Sequence, residues 1–182
     1  MPKIHVDEQV MAELRDRATG RTPNDVIRQL LGLWVEEPQA AEPGVYLVPH
    51  SPKEFPGGAS ELSKWLLEDL ARRPEGEYYV ASPYYWRNVV PGSICLFHKD
   101  KMIVGEGKLV GGLMPYYGSE VSPQTGKLYA GVVHFDPDSI KVYERPISFS
   151  TAETLLGKPL SFRAIQRLTR KDYDRIKEAS SE

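Results

Sequence analysis

The chain has 182 residues, a formal charge of −2, 41% apolar and 26% charged residues, which describes an ordinary soluble globular protein with room for about one and a half domains. No apolar run approaches the ~18 residues that a membrane helix needs, and the amphipathic N-terminus does not read as a signal peptide, so a cytoplasmic protein without membrane attachment is expected. The single cysteine, Cys95, lies in the apolar run Ile94 to Phe97 and reads as a small buried hydrophobe, and the four histidines, His5, His50, His98 and His134, show no metal-ligand spacing, so neither a disulfide framework nor a metal or other cofactor is expected.

In chain order, Ile4 and Val6 alternate with Lys3, His5 and Asp7, the period of a half-buried strand. Val10, Leu14 and Ala18, flanked by Met11, then form one apolar helical stripe that Gly20 suits to terminate. Thr22, Pro23 and Asp25 have the chemistry of an N-cap, a first turn and a third helical position, and Val26, Ile27, Leu30, Leu31 and Trp34 form the buried face of a second helix. A strand and two helices of this size cannot bury enough apolar surface to offset chain entropy, so residues 1–34 imply a homodimer.

This order of strand, helix, Gly-containing turn and helix resembles the ribbon-helix-helix family of DNA-binding dimers. The resemblance implies an antiparallel ribbon whose outward side chains enter the major groove. On this chain the readers would be Lys3, His5 and Asp7, with Arg21, Thr22 and Asn24 holding a phosphate at the second helix. Residues 1–34 carry five Lys/Arg (Lys3, Arg15, Arg17, Arg21, Arg28) against five Asp/Glu (Asp7, Glu8, Glu13, Asp16, Asp25), a net of zero. DNA affinity rests on phosphate neutralisation. Two readings therefore stay open, a DNA-reading ribbon and a unit that only dimerises.

Residues 35–44, with Pro38, Pro43, Glu36, Glu37 and Glu42 and no apolar period, read as a linker. Residues 45–182 then give about six strands, mostly in hairpin order: Val45 to Val48, Tyr78 to Val80, Ser93 to His98, Met102 to Val110, Leu128 to Phe135 and Ile140 to Tyr143. Lys99-Asp100-Lys101 and Asp136-Pro137-Asp138 are the expected turns. Helices are expected from Ser60 toward Pro74, near Thr151 to Leu156, and to Ala179 behind a Thr169/Asp172 cap. The fold class is α+β, a curved antiparallel sheet or small barrel with flanking helices.

The densest group of unusual residues runs from Tyr78 to Gly92, with five aromatics, one arginine and one asparagine. An aromatic loop beside a sheet can sandwich a base, stacking contributing roughly 1–3 kcal/mol per base. The bland alternative is core packing with polar tips at the surface.

Trp86-Arg87-Asn88, Pro91-Gly92-Ser93-Ile94-Cys95-Leu96-Phe97-His98 and Ile103-Val104-Gly105-Glu106-Gly107-Lys108-Leu109-Val110, with Val142 to Ile147 and Leu168 to Tyr173, resemble the EVE and wider PUA-like superfamily. The resemblance implies a reader of modified bases in nucleic acid, with Tyr84, Tyr85, Trp86, Arg87 and Asn88 as pocket residues and Ser82 and Tyr79 nearby; the chain departs from the family in lacking its further aromatic and acidic partners downstream, for which Tyr116 and Tyr117 are the candidate stand-ins.

Asp100 with Glu106 and Lys108, and Asp136 with Asp138, weakly evoke the acidic pair and lysine of metal-dependent nucleases, though Asp100 and Glu106 are hairpin neighbours. Residues 45–182 hold eighteen Lys/Arg against seventeen Asp/Glu, so the late group Arg163, Arg167 and Arg170 is a local basic cluster, a backbone-contact candidate or a solvated face. Together these features point to a non-enzymatic homodimer that binds nucleic acid, DNA more than RNA. The rival is a ribbon-helix-helix regulator whose second domain senses a small molecule, and a third reading is a non-catalytic subunit of a restriction or toxin-antitoxin system.

Overall fold

The computed structural model describes residues 42–181. The expectations for residues 1–34, including Lys3, His5, Asp7, Arg21, Thr22 and Asn24, lie outside the described residues.

The described part is an α+β domain built on one seven-stranded sheet. Its strands are β1 (Val45–Pro49), β2 (Glu77–Val80), β3 (Ile94–Lys99), β4 (Met102–Pro115), β5 (Gly131–Phe135), β6 (Lys141–Ser148) and β7 (Gln166–Leu168), and its helices are α1 (Ala59–Glu68), α2 (Phe149–Leu156) and α3 (Arg170–Ser181). The order is β2-β5-β4-β3-β1-β7, with β6 paired to β4 off this path. β4 holds the sheet together, pairing antiparallel with β3, β5 and β6 along its length. Gly105 makes that possible on the β6 side, because a Cβ there would overlap the Lys141 carbonyl oxygen.

Strand alternation gives the sheet two apolar faces. Tyr46, Val48, Cys95, Phe97 and Val104 join Leu62 and Leu66 of α1 in one core. Val45, Leu47, Leu96 and Ile103 join Phe149 and Ala152 of α2 and Ile176 of α3 in the other. Cys95 is fully buried as a hydrophobe, and burial pushes its thiol far above the ordinary range.

Three expectations about the sheet are corrected. The strands are not mostly in hairpin order, since β1 runs parallel to β3, Val45 opposite Ile94, and antiparallel to β7. β5 begins at Gly131 and not at Leu128, and it pairs with β4 instead of β6. β7 is a seventh strand of three residues, too short for a periodic signal. The last helix starts as its sequence indicates: Asp172 Oδ2 accepts from the Thr169 amide at 2.8 Å and Thr169 Oγ1 accepts from the Asp172 amide at 3.1 Å, a reciprocal cap. The first helix begins at Ala59, and Ser60 donates back to the Gly57 carbonyl at 3.3 Å. Among the described residues no helix is long and apolar enough to cross a membrane.

Candidate functional site

The parallel register of β1 and β3 sets Pro49 beside His98, so the next residues along, His50 and Lys99, emerge side by side where both strands end. The His50 amide continues the ladder to the His98 carbonyl at 3.1 Å. Beyond these ends lies a cavity of about 730 Å³, lined also by Ser51, Glu54, Tyr78, Tyr79, Ser82, Tyr85, Trp86, Asp100, Lys101, Phe162 and Arg163. Its size suits a drug-sized or nucleotide-sized ligand.

The floor is a buried polar group in an aromatic nest. His50 Nδ1 lies 3.3 Å from the His98 carbonyl oxygen, which fixes the proton on that nitrogen. Nε2 is then the acceptor for the Tyr78 hydroxyl at 3.1 Å. Burial lowers the His50 pKa to about 4, with the nearby Lys99 charge adding to it, so the ring is neutral. The same burial raises the Tyr78 hydroxyl well above its usual value. Tyr78 stacks on Phe97 at 6.3 Å and tilts against Trp86 at 5.2 Å.

Lys99 is 3% exposed and paired with the Asp100 carboxylate. Asp100 and Lys101 form the tip of the β3–β4 hairpin with φ of 51° and 61°, left-handed backbone that non-glycine residues adopt at a cost of order 1–3 kcal/mol each. That turn sets Asp100 against Gly58 at the start of α1, where a Cβ would stand 3.0 Å from Asp100 Oδ2. The positive end of the helix dipole favours a carboxylate there.

The residues expected in the pocket fall into different environments. Tyr79, Ser82, Tyr85 and Trp86 line the cavity; Tyr84, Arg87 and Asn88 do not. Tyr85 is 53% exposed, whereas Trp86 is 5% exposed and belongs to the core. Trp86 is therefore a wall of the cavity and not a free stacking platform. Tyr84 and Arg87 are exposed and engage each other, guanidinium over ring at 4.1 Å. Asn88 is exposed, its carbonyl accepting from the Tyr46 hydroxyl at 2.8 Å. Tyr79 is held by Tyr116 at 4.7 Å and donates to Glu77 at 3.0 Å, and Tyr117 stands exposed. Of the basic candidates only Arg163 reaches the cavity, its guanidinium 5.0 Å over Phe162. Arg167 sits on β7 opposite Tyr46, and Arg170 pairs with Asp174 at 3.4 Å on α3.

His50, Lys99 and Phe162 are site residues that sequence reasoning missed. The available signals were a strand closing on Pro-His-Ser-Pro and a two-residue hairpin tip without the glycine or asparagine such turns favour. The residues weighed for nuclease chemistry do not converge. Glu106 is bound to Lys177 at 2.6 Å and Tyr143 at 2.8 Å, and Asp136 caps its own turn through the Asp138 amide at 3.1 Å. Among the described residues no group of three or more His, Cys, Asp or Glu is placed to hold a metal ion.

A second cavity of about 990 Å³ shares His50, Glu54, Tyr78 and Tyr79 with the first. Its lining holds seven carboxylates, Glu54, Glu61, Glu68, Asp69, Glu75, Glu77 and Glu120, against Lys64 and Arg73. The first cavity has the opposite balance, Lys99, Lys101 and Arg163 against Glu54 and Asp100. The second cavity is thus acidic and the first mildly cationic.

The described residues thus form an α+β domain with a ligand-sized, aromatic and mildly cationic cavity at the ends of two parallel strands. No protein-family model and no curated protein matches the chain. Among solved structures, a hypothetical protein from Leishmania major is similar, with a TM-score of 0.50 and 14% identity, covering 79% of this chain and 98% of that one. A protein from Agrobacterium tumefaciens has a TM-score of 0.49 and 16% identity, covering 75% of this chain and 92% of that one. At such identities the likeness concerns the fold alone.

Proposed function

We propose that this chain is a non-enzymatic nucleic-acid-binding protein whose second domain, PUA-like in kind, holds one flipped or unpaired, modified base in the cavity between Tyr85 and the His50–Lys99 floor. Residues 1–34 would make it a cytoplasmic homodimer, and DNA is the favoured partner. The observation that carries the reading is the composition of the cavity: exposed aromatic rings, Tyr85 and Phe162, at a ligand-sized opening whose cations outnumber its carboxylates by three to two. Stacking supplies affinity for any base, and buried polar groups supply choice among bases. Two weak sites on a dimer multiply through effective concentration.

The test is fluorescence anisotropy with labelled single strands and with duplexes carrying one unpaired base. Tyr85→Ala should weaken binding by about fivefold or more, as expected from the roughly 1–3 kcal/mol of one stacked base, while leaving the melting temperature within a few degrees. Unchanged affinity would refute the base pocket. Operator binding by a fragment lacking residues 45–182 would instead favour the small-molecule-sensing regulator.

A further inference from the structure

Resting on the base-reading proposal above, we infer that Lys99 is the specificity-determining residue of the cavity, and that its ammonium selects a neutral ring carbonyl over an amino group on the bound base. An ammonium has three N–H donors and no acceptor. Lys99 Nζ gives one of them to Asp100, and among the described residues it has no other partner. The side chain is 3% exposed, largely withdrawn from bulk water, and the residue lines the cavity. Donors left unmatched in a low-dielectric site are costly until something accepts from them.

The neighbouring groups do not relieve this. The neighbouring ring of His50 spends its Nδ1 proton on the His98 carbonyl and its Nε2 lone pair on Tyr78. The remaining ionisable groups of the lining are His98, whose ring nitrogens make no hydrogen bond among the described residues, the tyrosines Tyr78, Tyr79 and Tyr85, the carboxylates Glu54 and Asp100 and the cations Lys101 and Arg163. Lys101 lies 5.4 Å over the Phe162 ring and Arg163 lies 5.0 Å over the same ring.

The charge of Lys99 is already matched by Asp100, and Glu54 lines the same space. A phosphate or carboxylate placed against Lys99 would bring a further negative charge beside these two. A carbonyl oxygen accepts from a free donor without adding charge. An amino group at the same point would set donor against donor, the arrangement by which buried polar sites reject a wrong ligand.

The experiment compares matched pairs of labelled oligonucleotides carrying one unpaired uracil or cytosine, and one unpaired hypoxanthine or adenine, on the full-length protein. Wild type should prefer the oxo member of at least one pair by roughly tenfold or more. Lys99→Met keeps the side-chain volume and removes the donors, and it should erase that preference. Lys99→Gln, which can donate or accept, should retain binding and also lose the preference, so a fold defect in one variant does not leave the question open. A wild type without preference, or a preference that survives both substitutions, overturns the role of Lys99, and base reading then still stands if Tyr85→Ala weakens binding. Absence of binding to every probe overturns both.

Discussion

Lys177 of α3 places its ammonium 2.6 Å from one carboxylate oxygen of Glu106 on β4, while the Tyr143 hydroxyl donates to the other oxygen at 2.8 Å. Glu106 is buried and Lys177 partly so, which makes the pair a clamp between the last helix and the central strand. Removing one partner leaves a charge without compensation. Lys177→Met should lower stability to urea by about 1–3 kcal/mol, discounted for the lysine's partial exposure. Glu106→Gln combined with Lys177→Met should recover at least half of that, because a glutamine oxygen still accepts from Tyr143. A double variant as unstable as the single one would contradict the clamp.

Trp86→Ala should behave as a core deletion. The ring packs on Tyr78 and Phe135, and emptying such a site costs about 3–5 kcal/mol, roughly 6–20 °C of melting temperature in a chain of this size. Any loss of the proposed nucleic-acid binding would accompany unfolding, so Tyr85 and not Trp86 is the position at which the proposal can be tested apart from folding. Differential scanning calorimetry of the two alanine variants checks this, and a Trp86→Ala protein that melts like wild type would show the tryptophan to be dispensable to the core.

Acid should destabilise the domain well above the pH at which ordinary carboxylates titrate. Burial lowers the His50 pKa from 6.5 to about 4 and that of His98 from 6.5 to about 3. The unfolded chain takes up these protons first, so the stability contributed by the neutral rings is complete above pH 6.5 and is lost as pH falls toward the folded values. Between pH 6.5 and about pH 5 this amounts to about 2 kcal/mol per histidine. Urea unfolding across that window should show the slope, and His50→Gln should reduce it by about half; a flat profile in wild type would mean that the rings are not desolvated.

Gly76 has φ of 59°, and a Cβ there would overlap the Phe135 carbonyl oxygen. The Gly76 carbonyl in turn accepts from the Phe135 amide at 2.9 Å. Gly76→Ala thus meets both left-handed strain and a backbone clash and should cost about 2–3 kcal/mol. Hydrogen exchange should locate the damage in β2 and β5, and uniform loss of protection elsewhere would argue against a local cause.

Features encoded within a few residues were legible in the sequence. The Thr169/Asp172 cap, the apolar stripe of α1 through Leu62 and Leu66, and the Lys99–Met102 hairpin all depend on contacts at short separation. The parallel pairing of β1 with β3 joins residues 49 apart and the β1–β7 pairing more than 100 apart, and neither leaves a local period. The site suffers the same way, because Pro49-His50-Ser51, Lys99 and Phe162 come from three distant segments. Within the aromatic loop, composition marked Tyr85 and Trp86 alike. The short helical turn Pro83–Tyr85 sends them to different fates, one toward solvent and the next into the core.

The sheet's outer strands carry a last implication. β2 has four residues and β7 three, and β6, paired on one side only to β4, places exposed Glu144, Arg145 and Pro146 along its length. Short borders, charge and proline all discourage a neighbouring chain from extending a sheet by hydrogen bonding. Two copies of this domain at high concentration have little backbone ladder to share, which disfavours fibres built by edge-to-edge strand pairing.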